Sequence, residues 1–311
     1  MEDRPTFTVF TPTYNRATTL PTVYDSLQRQ TFRDFEWLLV DDGSTDGTRE
    51  LVQSWVAAAE FPIRYVEQAH GGLHVAINRG AQEARGRFFL NLDSDDSCLP
   101  NSLERFKVLW DSIPVEQADR FVGVTVLCQN PDGTVVGTRF PRDIIDSDTL
   151  EMRYRNRSKG DNWGFKRLEV MRQFPLPEPP GETFIPVGLS WAAMARAGYK
   201  TRYANEQLYN YFTDHSDTMT RYQPRIHAFG RRIFHQESLN EDLRWLRYAP
   251  HEVMRSAIQY SRYSFHLKCG VRAQVAGLKG WLPRLLWAVG LLFGYVMYRR
   301  DQRRNHHDVI D

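Results

Sequence analysis

The first hundred residues repeat one order. A short β-branched or aromatic run leads into a polar loop, and a stretch with apolar residues three and four apart follows. Thr6 to Thr11 delivers Thr11-Pro12-Thr13-Tyr14-Asn15-Arg16 to a loop, with Pro12 expected to stop the strand. Residues 17–30 then carry Leu20, Val23 and Leu27 at helical spacing. Glu36 to Val40 ends in Asp41-Asp42-Gly43-Ser44-Thr45-Asp46-Gly47-Thr48, and Leu51, Val52 and Trp55 open a second helix. Ile63 to Val66 is followed by Gly71-Gly72 and a helix whose buried face should be Leu73, Ile77, Ala81 and Ala84, leaving His74 and Arg79 solvated. The fourth run, Arg87 to Leu92, turns abruptly into Asp93-Ser94-Asp95-Asp96. Strands separated by helices of ten or more residues return in the same direction, so the expected fold is α/β, a doubly wound, mostly parallel sheet. Such sheets bind ligands beyond the carboxyl ends of their strands.

Three of those ends carry the chemistry. Clustering Asp93, Asp95 and Asp96 at the end of a buried strand is costly unless a cation compensates. If the backbone stays extended through Ser94, Asp93 and Asp95 point the same way and can share one Mg²⁺ or Mn²⁺. An ionised carboxylate only accepts hydrogen bonds, so Asp41 or Asp42 can take a ring N–H of a nucleotide base, while the ion offsets charge on a diphosphate. No GxxxxGK[ST] or GxGxxG loop is present, which argues against a P-loop NTPase and a dinucleotide oxidoreductase. Lys+Arg of 40 against Asp+Glu of 38 is too balanced for a nucleic-acid binder. Cys98, Cys128 and Cys269 are widely spaced, indicating no disulfide framework and a reducing compartment. Met-Glu-Asp-Arg-Pro opens the chain without an apolar signal region, so a cytoplasmic protein is expected.

These motifs together resemble the inverting, bacterial-type family 2 glycosyltransferases of the GT-A fold. The resemblance rests on the Thr11 to Arg16 loop, Val-Asp-Asp-Gly-Ser-Thr-Asp-Gly-Thr at 40–48, Ala-Ile-Asn-Arg-Gly at 76–80, Ala84-Arg85-Gly86 and Leu-Asp-Ser-Asp-Asp at 92–96, in order across about 110 residues. It implies transfer of a sugar from a nucleoside-diphosphate donor to an acceptor hydroxyl, with Mn²⁺ or Mg²⁺ at Asp93 and Asp95. It also implies nucleotide contacts from Thr11, Pro12, Thr13, Tyr14, Asn15, Arg16, Asp41, Asp42, Asn78, Arg79, Asp93 and Ser94, with Asp96, His74 and His215 as weaker candidates.

Beyond residue 110 the resemblance is looser. Phe121 to Gln129 and Val135 to Phe140, joined by Asn130-Pro131-Asp132-Gly133, read as a hairpin. One bacterial branch of the family normally carries a Glu where this chain has Val187, and often a Lys where it has Leu73. Valine cannot accept the acceptor's proton, so Glu182 becomes the candidate general base, with Asp161 second. The departures also keep open a non-catalytic nucleotide-sugar-binding or scaffold protein of a glycan assembly complex.

The expected organisation is a GT-A domain over 1–220, with a nucleotide-binding half (1–97) and an acceptor half (98–220), then a helical region over 221–311. Trp281 to Tyr298 is apolar except for Arg284, and Arg299, Arg300, Arg303 and Arg304 follow it. Its uninterrupted part, Leu285 to Tyr298, is shorter than the ~20 residues of a spanning helix. The pattern suits a helix lying in the interface of an anionic membrane, with Trp281, Trp287, Tyr295 and Tyr298 at headgroup depth. That would place the protein peripherally at the inner face, near a glycan or lipid-linked acceptor.

Overall fold

The computed structural model describes residues 4–212 and 225–307. β1 (Phe7–Thr13), α1 (Leu20–Gln28), β2 (Phe35–Asp41), α2 (Thr48–Val56), β3 (Ile63–Glu67), α3 (Leu73–Glu83) and β4 (Phe88–Asn91) alternate as the periodicity predicts. β3, β2, β1 and β4 lie side by side in that order and run parallel. β2 is buried along its whole length, because helices cover both faces of a parallel sheet.

β1 does not stop at Pro12. The strand continues to Thr13, paired with β2 as far as Asp41. Thr13 turns its carbonyl to β2, where it accepts from Asp42 N–H, so Pro12 faces the opposite side. There β4 pairs only with Phe7 to Phe10, and the missing proline N–H leaves no gap in the ladder.

The chain continues through β5 (Ser97–Cys98), α4 (Ser102–Asp111), β6 (Phe121–Gln129), β7 (Ile144–Ser147), α5 (Thr149–Tyr154), β8 (Asn162–Arg167), α6 (Leu168–Met171), α7 (Gly188–Arg196) and β9 (Lys200–Asn210). The sheet extends from β4 through β8, β6 and β9 to β5, with β7 on β9. β8 enters antiparallel between β4 and β6, and β6 and β9 run parallel. The expected hairpin after β6 shrinks to a single bridge, Gln129 with Val135. Its return segment bonds elsewhere: Thr138 N–H donates to Lys159 and Phe140 N–H to the Asn205 side chain. Under the sheet, Phe7, Phe88, Phe106, Trp110 and Phe165 form one aromatic cluster, and Trp55 stacks on Tyr24 beside Trp37.

The chain forms two compact units, Met1–Glu178 with Ser190–Thr218, and Pro179–Leu189 with Met219–Asp311. The second contains α8 (Ala228–Glu241), α9 (Pro250–His266), α10 (Val271–Ala276) and α11 (Trp281–His307). Leu239, Val253, Ala257, Tyr260, Leu278 and Trp287 make its core. Trp287 is therefore no headgroup-level anchor, because it is only 6% exposed and its Nε1 donates to Gln274 Oε1 at 3.0 Å. α11 presses on α9 at Gly290 and Gly294, where an added Cβ would lie 3.0 Å from Ile258 N and 2.6 Å from Ile258 O. Further along, Arg262 donates to both oxygens of Asp301 at 2.7 and 2.5 Å, and His266 Nε2 lies 2.8 Å from the same carboxylate.

Candidate functional site

The loops after β1 and β2 are stitched together at the carboxyl edge of the sheet. Asn15 adopts a left-handed backbone (φ 54°), which asparagine tolerates better than most residues. Its N–H donates to Ser44 Oγ at 2.8 Å, and its side chain accepts from Thr45 N–H at 2.8 Å. Arg16 N–H reaches Thr48 Oγ1 and Ala17 N–H reaches Asp46. Tyr14, 45% exposed, stacks on His70 with ring centroids 4.4 Å apart. Thr11 is buried under this rim and accepts from Trp37 Nε1, whereas Thr13 Oγ1 is buried without a partner.

Asp41 and Asp42 are both buried and both engaged. Asp41 accepts from Ser44 N–H and from Tyr65 OH. Asp42 accepts from Gly71 N–H and Gly72 N–H at 2.8 Å each, with Gln68 Nε2 on Oδ1 and His70 Nδ1 2.9 Å from Oδ2. It thus closes the start of α3, where a negative charge is favoured by the helix dipole. Ile77, Ala81 and Ala84 are buried as expected, whereas Leu73 is half-buried and His74, expected in solvent, turns inward. His74 is fully buried beside Ile77, Asn78 and Ala81, with no partner on either ring nitrogen, and burial lowers its pKa. Arg79 is exposed and pairs with Glu83 at 2.8 Å. Asn78 is spent on the chain itself: its amide holds Leu176 through two backbone bonds and Glu178 through a third contact at 2.6 Å.

The backbone does not stay extended through Ser94. β4 ends at Asn91 and the chain turns at Ser94 and Asp95, with Asp96 N–H reaching back toward Asp93 O. Strand alternation therefore does not align Asp93 with Asp95, and a turn brings them together instead. Asn91, which the sequence reading passed over, orients the cluster by donating from Nδ2 to Asp93 Oδ1 at 2.6 Å. Asn91 Oδ1 is itself buried and unpartnered. Burial, with Asp95 and Asp161 as neighbouring charges, pushes the Asp93 carboxyl up to about 6. Asp161 therefore sits within electrostatic reach of Asp93, at the start of β8. Asp96 has another job. Its two oxygens take Tyr209 OH at 2.7 Å and Phe212 N–H at 2.8 Å, tying the turn to the end of β9, and burial raises its pKa to about 7. Tyr211, raised to about 12 by burial and by these carboxylates, adds a neutral hydroxyl beside them.

The donor set fits a divalent ion that is completed by its substrate. Among the described residues no three His, Cys, Asp or Glu side chains come together closely enough to hold a metal on their own. With Asp96 occupied, Asp93 and Asp95 remain. One or two carboxylates plus substrate phosphates is the usual Mg²⁺ arrangement, and the orphaned Asn91 Oδ1 provides a further oxygen at the same place. Glu182 belongs to the second unit; it is half-buried, one oxygen has no partner, and burial raises its pKa. His215 lies outside the described residues.

The glycosyl transferase family 2 model matches residues 8–170, more than half of the chain and every strand end described above except that of β9. The chain belongs to glycosyl transferase family 2. A candidate teichuronic acid biosynthesis glycosyltransferase of Bacillus subtilis, TuaG, is 34% identical over 151 residues, covering 48% of this chain and 58% of TuaG, so the match spans little more than half of that relative. Among solved structures, TarS 1–349 of S. aureus in complex with UDP-GlcNAc aligns with a TM-score of 0.60 at 18% identity, covering 96% of this chain and 92% of that one. GalNAc-T7 with UDP, GalNAc and Mn²⁺ aligns with a TM-score of 0.55 at 15% identity, covering 88% and 54%. The family 2 domain thus has the GT-A fold, with the loops after β1, β2 and β4 at the carboxyl edge of its sheet.

Proposed function

We propose that the protein is an inverting glycosyltransferase that moves a sugar from a nucleoside diphosphate, a UDP-sugar in the first instance, to an acceptor hydroxyl in polysaccharide or glycolipid synthesis. The observation that carries this reading is the buried Asp93 carboxylate, oriented by Asn91 and acted on by the charges of Asp95 and Asp161, at the strand edge of a family 2 domain. Asp93 and Asp95 would hold Mn²⁺ or Mg²⁺, which when bound offsets the charge of the departing diphosphate. The rim of Thr13, Tyr14, Asn15, Arg16 and Ser94 would receive the nucleotide, and Thr13 Oγ1 is available to it as a buried hydroxyl without a protein partner. Asp41 keeps free lone pairs for a base N–H, since each of its oxygens accepts one bond and can take another, whereas the four contacts on Asp42 fill its oxygens, so Asp42 would meet a base only by giving one of them up.

An inverting transfer needs a base that takes the acceptor's proton as the sugar moves. Val187 has no group for this, and Glu182 is our first candidate, its raised pKa bringing it nearer the working range of a base. Asp161 is the second. The reaction would run in the cytoplasm on a glycan or lipid-linked acceptor.

The test is release of UDP from a panel of UDP-sugars, with GDP- and dTDP-sugars alongside, with and without Mn²⁺ and with lipid-linked acceptors added. Metal-dependent release should disappear in Asp95→Ala and fall by ~100-fold or more in Glu182→Gln. Full activity in Glu182→Gln and loss in Asp161→Asn would transfer the role to Asp161. Val187 favours one other reading, a binding protein without turnover, and donor binding with no release under any acceptor would establish that instead.

A further inference from the structure

α11 is apolar on the side that faces away from its own unit. Its inner line, Trp287, Gly290, Gly294 and Asp301, is buried against α9 and the residues around it. Its outer line is Trp281, Leu285, Val289, Leu292, Phe293 and Val296, between 50% and 75% exposed. At 1.5 Å per residue this stripe runs for about 22 Å. Such a length of contiguous large apolar side chains is unusual for a solvated surface and marks an interaction site.

The charges along the same helix say what covers it. From Trp281 to Arg303 the acid is Asp301, and it is buried in the pair with Arg262 and His266. The exposed charges are Arg284, Arg299, Arg300 and Arg303, and on a helical projection Arg299 and Arg303 continue the line of Trp281, Leu285 and Leu292. A second copy of the chain docked face to face would set these arginines against a surface of α11 that offers no acid. An anionic bilayer answers both features, apolar depth for the stripe and phosphate charge for the arginines.

By length and composition alone Trp281–Arg303 could cross a membrane, with a mean hydropathy of 1.3 over its most apolar 18 residues. Its packing argues otherwise. Gly290 and Gly294 bring the α11 backbone against α9, and the Arg262–Asp301–His266 cluster fastens the far end, so lipid has access to one side only. We propose that α11 is a one-sided membrane-docking helix that lies in the interface of an anionic bilayer while its other face stays on α9. This goes beyond the glycosyl-transfer reading and does not depend on it.

The test is flotation of the full chain with vesicles of phosphatidylcholine alone and of phosphatidylcholine with phosphatidylglycerol. We expect binding to the anionic vesicles. The replacements Arg299→Gln, Arg300→Gln and Arg303→Gln together should weaken it on the order of a hundredfold, at about 1 kcal/mol per arginine. Leu285→Glu with Leu292→Glu should abolish it while leaving the melting temperature unchanged, since both positions are exposed. Equal binding to neutral vesicles with resistance to alkaline extraction would mean a spanning helix and overturn the proposal. So would no vesicle binding together with a concentration-dependent oligomer that Leu292→Glu dissolves. Loss of turnover in Asp95→Ala should leave flotation intact, so the two readings fail separately.

Discussion

Asp42 illustrates how one side chain is read differently from sequence and from structure. The Asp41-Asp42 pair after a buried strand is legible as a ligand-facing site, because acids rarely end such strands without a task. The partners of Asp42 are not legible. Gly71 and Gly72 lie some thirty positions away, and only the fold brings their N–H groups to its carboxylate. Removing the carboxylate leaves the start of α3 with unpaired donors, and Asp42→Ala should cost about 1–2 kcal/mol in urea unfolding. Asp42→Asn should cost less, because one oxygen remains to accept. If Asp42→Ala unfolds at the wild-type midpoint, the capping role is wrong. The aspartates after β4 carry the complementary lesson. Their clustering was readable, but the strand parity used to align Asp93 with Asp95 failed at the turn, and the residue that orients Asp93 is the unremarked Asn91.

Among the elements, the parallel strands and their helices were the most legible part, since period-two and period-3.6 patterns depend only on which face is buried. The α9–α11 seam was not legible as such. Gly290 and Gly294, four residues apart, look like punctuation in an apolar run, and their meaning lies in the backbone of α9 that approaches them. The structure ranks them. A Cβ at Gly294 would meet Ile258 O at 2.6 Å, a backbone atom that cannot swing away, whereas at Gly290 the nearest atom is 3.0 Å off. Gly294→Ala should therefore destabilise by about 1–3 kcal/mol and Gly290→Ala by less. Asp301→Asn, which leaves the buried Arg262 without its counter-charge, should cost about 3–5 kcal/mol. Thermal melts of the three variants check the order, and a neutral Gly294→Ala would show that the helices do not meet as described.

At the scale of the molecule these local choices set how stability responds to pH. Asp93 and Asp96 have folded-state pKa values raised to about 6 and about 7, burial being the first cause for both. The unfolded chain releases those protons near 3.9. Between about 4 and 7 the folded state therefore holds more protons than the unfolded one, so stability without an ion falls as pH rises through that window and levels off above it. Asp301 acts in the opposite sense. Its pKa is lowered, its own burial opposing but the hydrogen bonds of Arg262 and His266 outweighing it, so its contribution is present above about 4 and is lost in more acid solution. His74 and His227, lowered by burial, pull against Asp93 and Asp96 by favouring the folded state as pH rises toward 6.5, so the strand-end carboxylates set the slope of the ion-free protein above that point. Mn²⁺ with UDP should reverse the slope, because the ion binds the ionised carboxylates and has to displace protons at low pH. Melting temperatures at pH 6.5 and pH 7.5 decide the matter. The ion-free protein should melt lower at 7.5, and the increment from Mn²⁺ and UDP should be larger there. Asp96→Asn should flatten the ion-free slope while keeping the increment, since Asp96 serves Tyr209 and Phe212 rather than the ion. An ion-free melting temperature that still climbs between pH 6.5 and 7.5, above the range in which His74 and His227 act, would mean that the strand-end carboxylates are already compensated within the protein, and the case for a cation between Asp93 and Asp95 would fall with it.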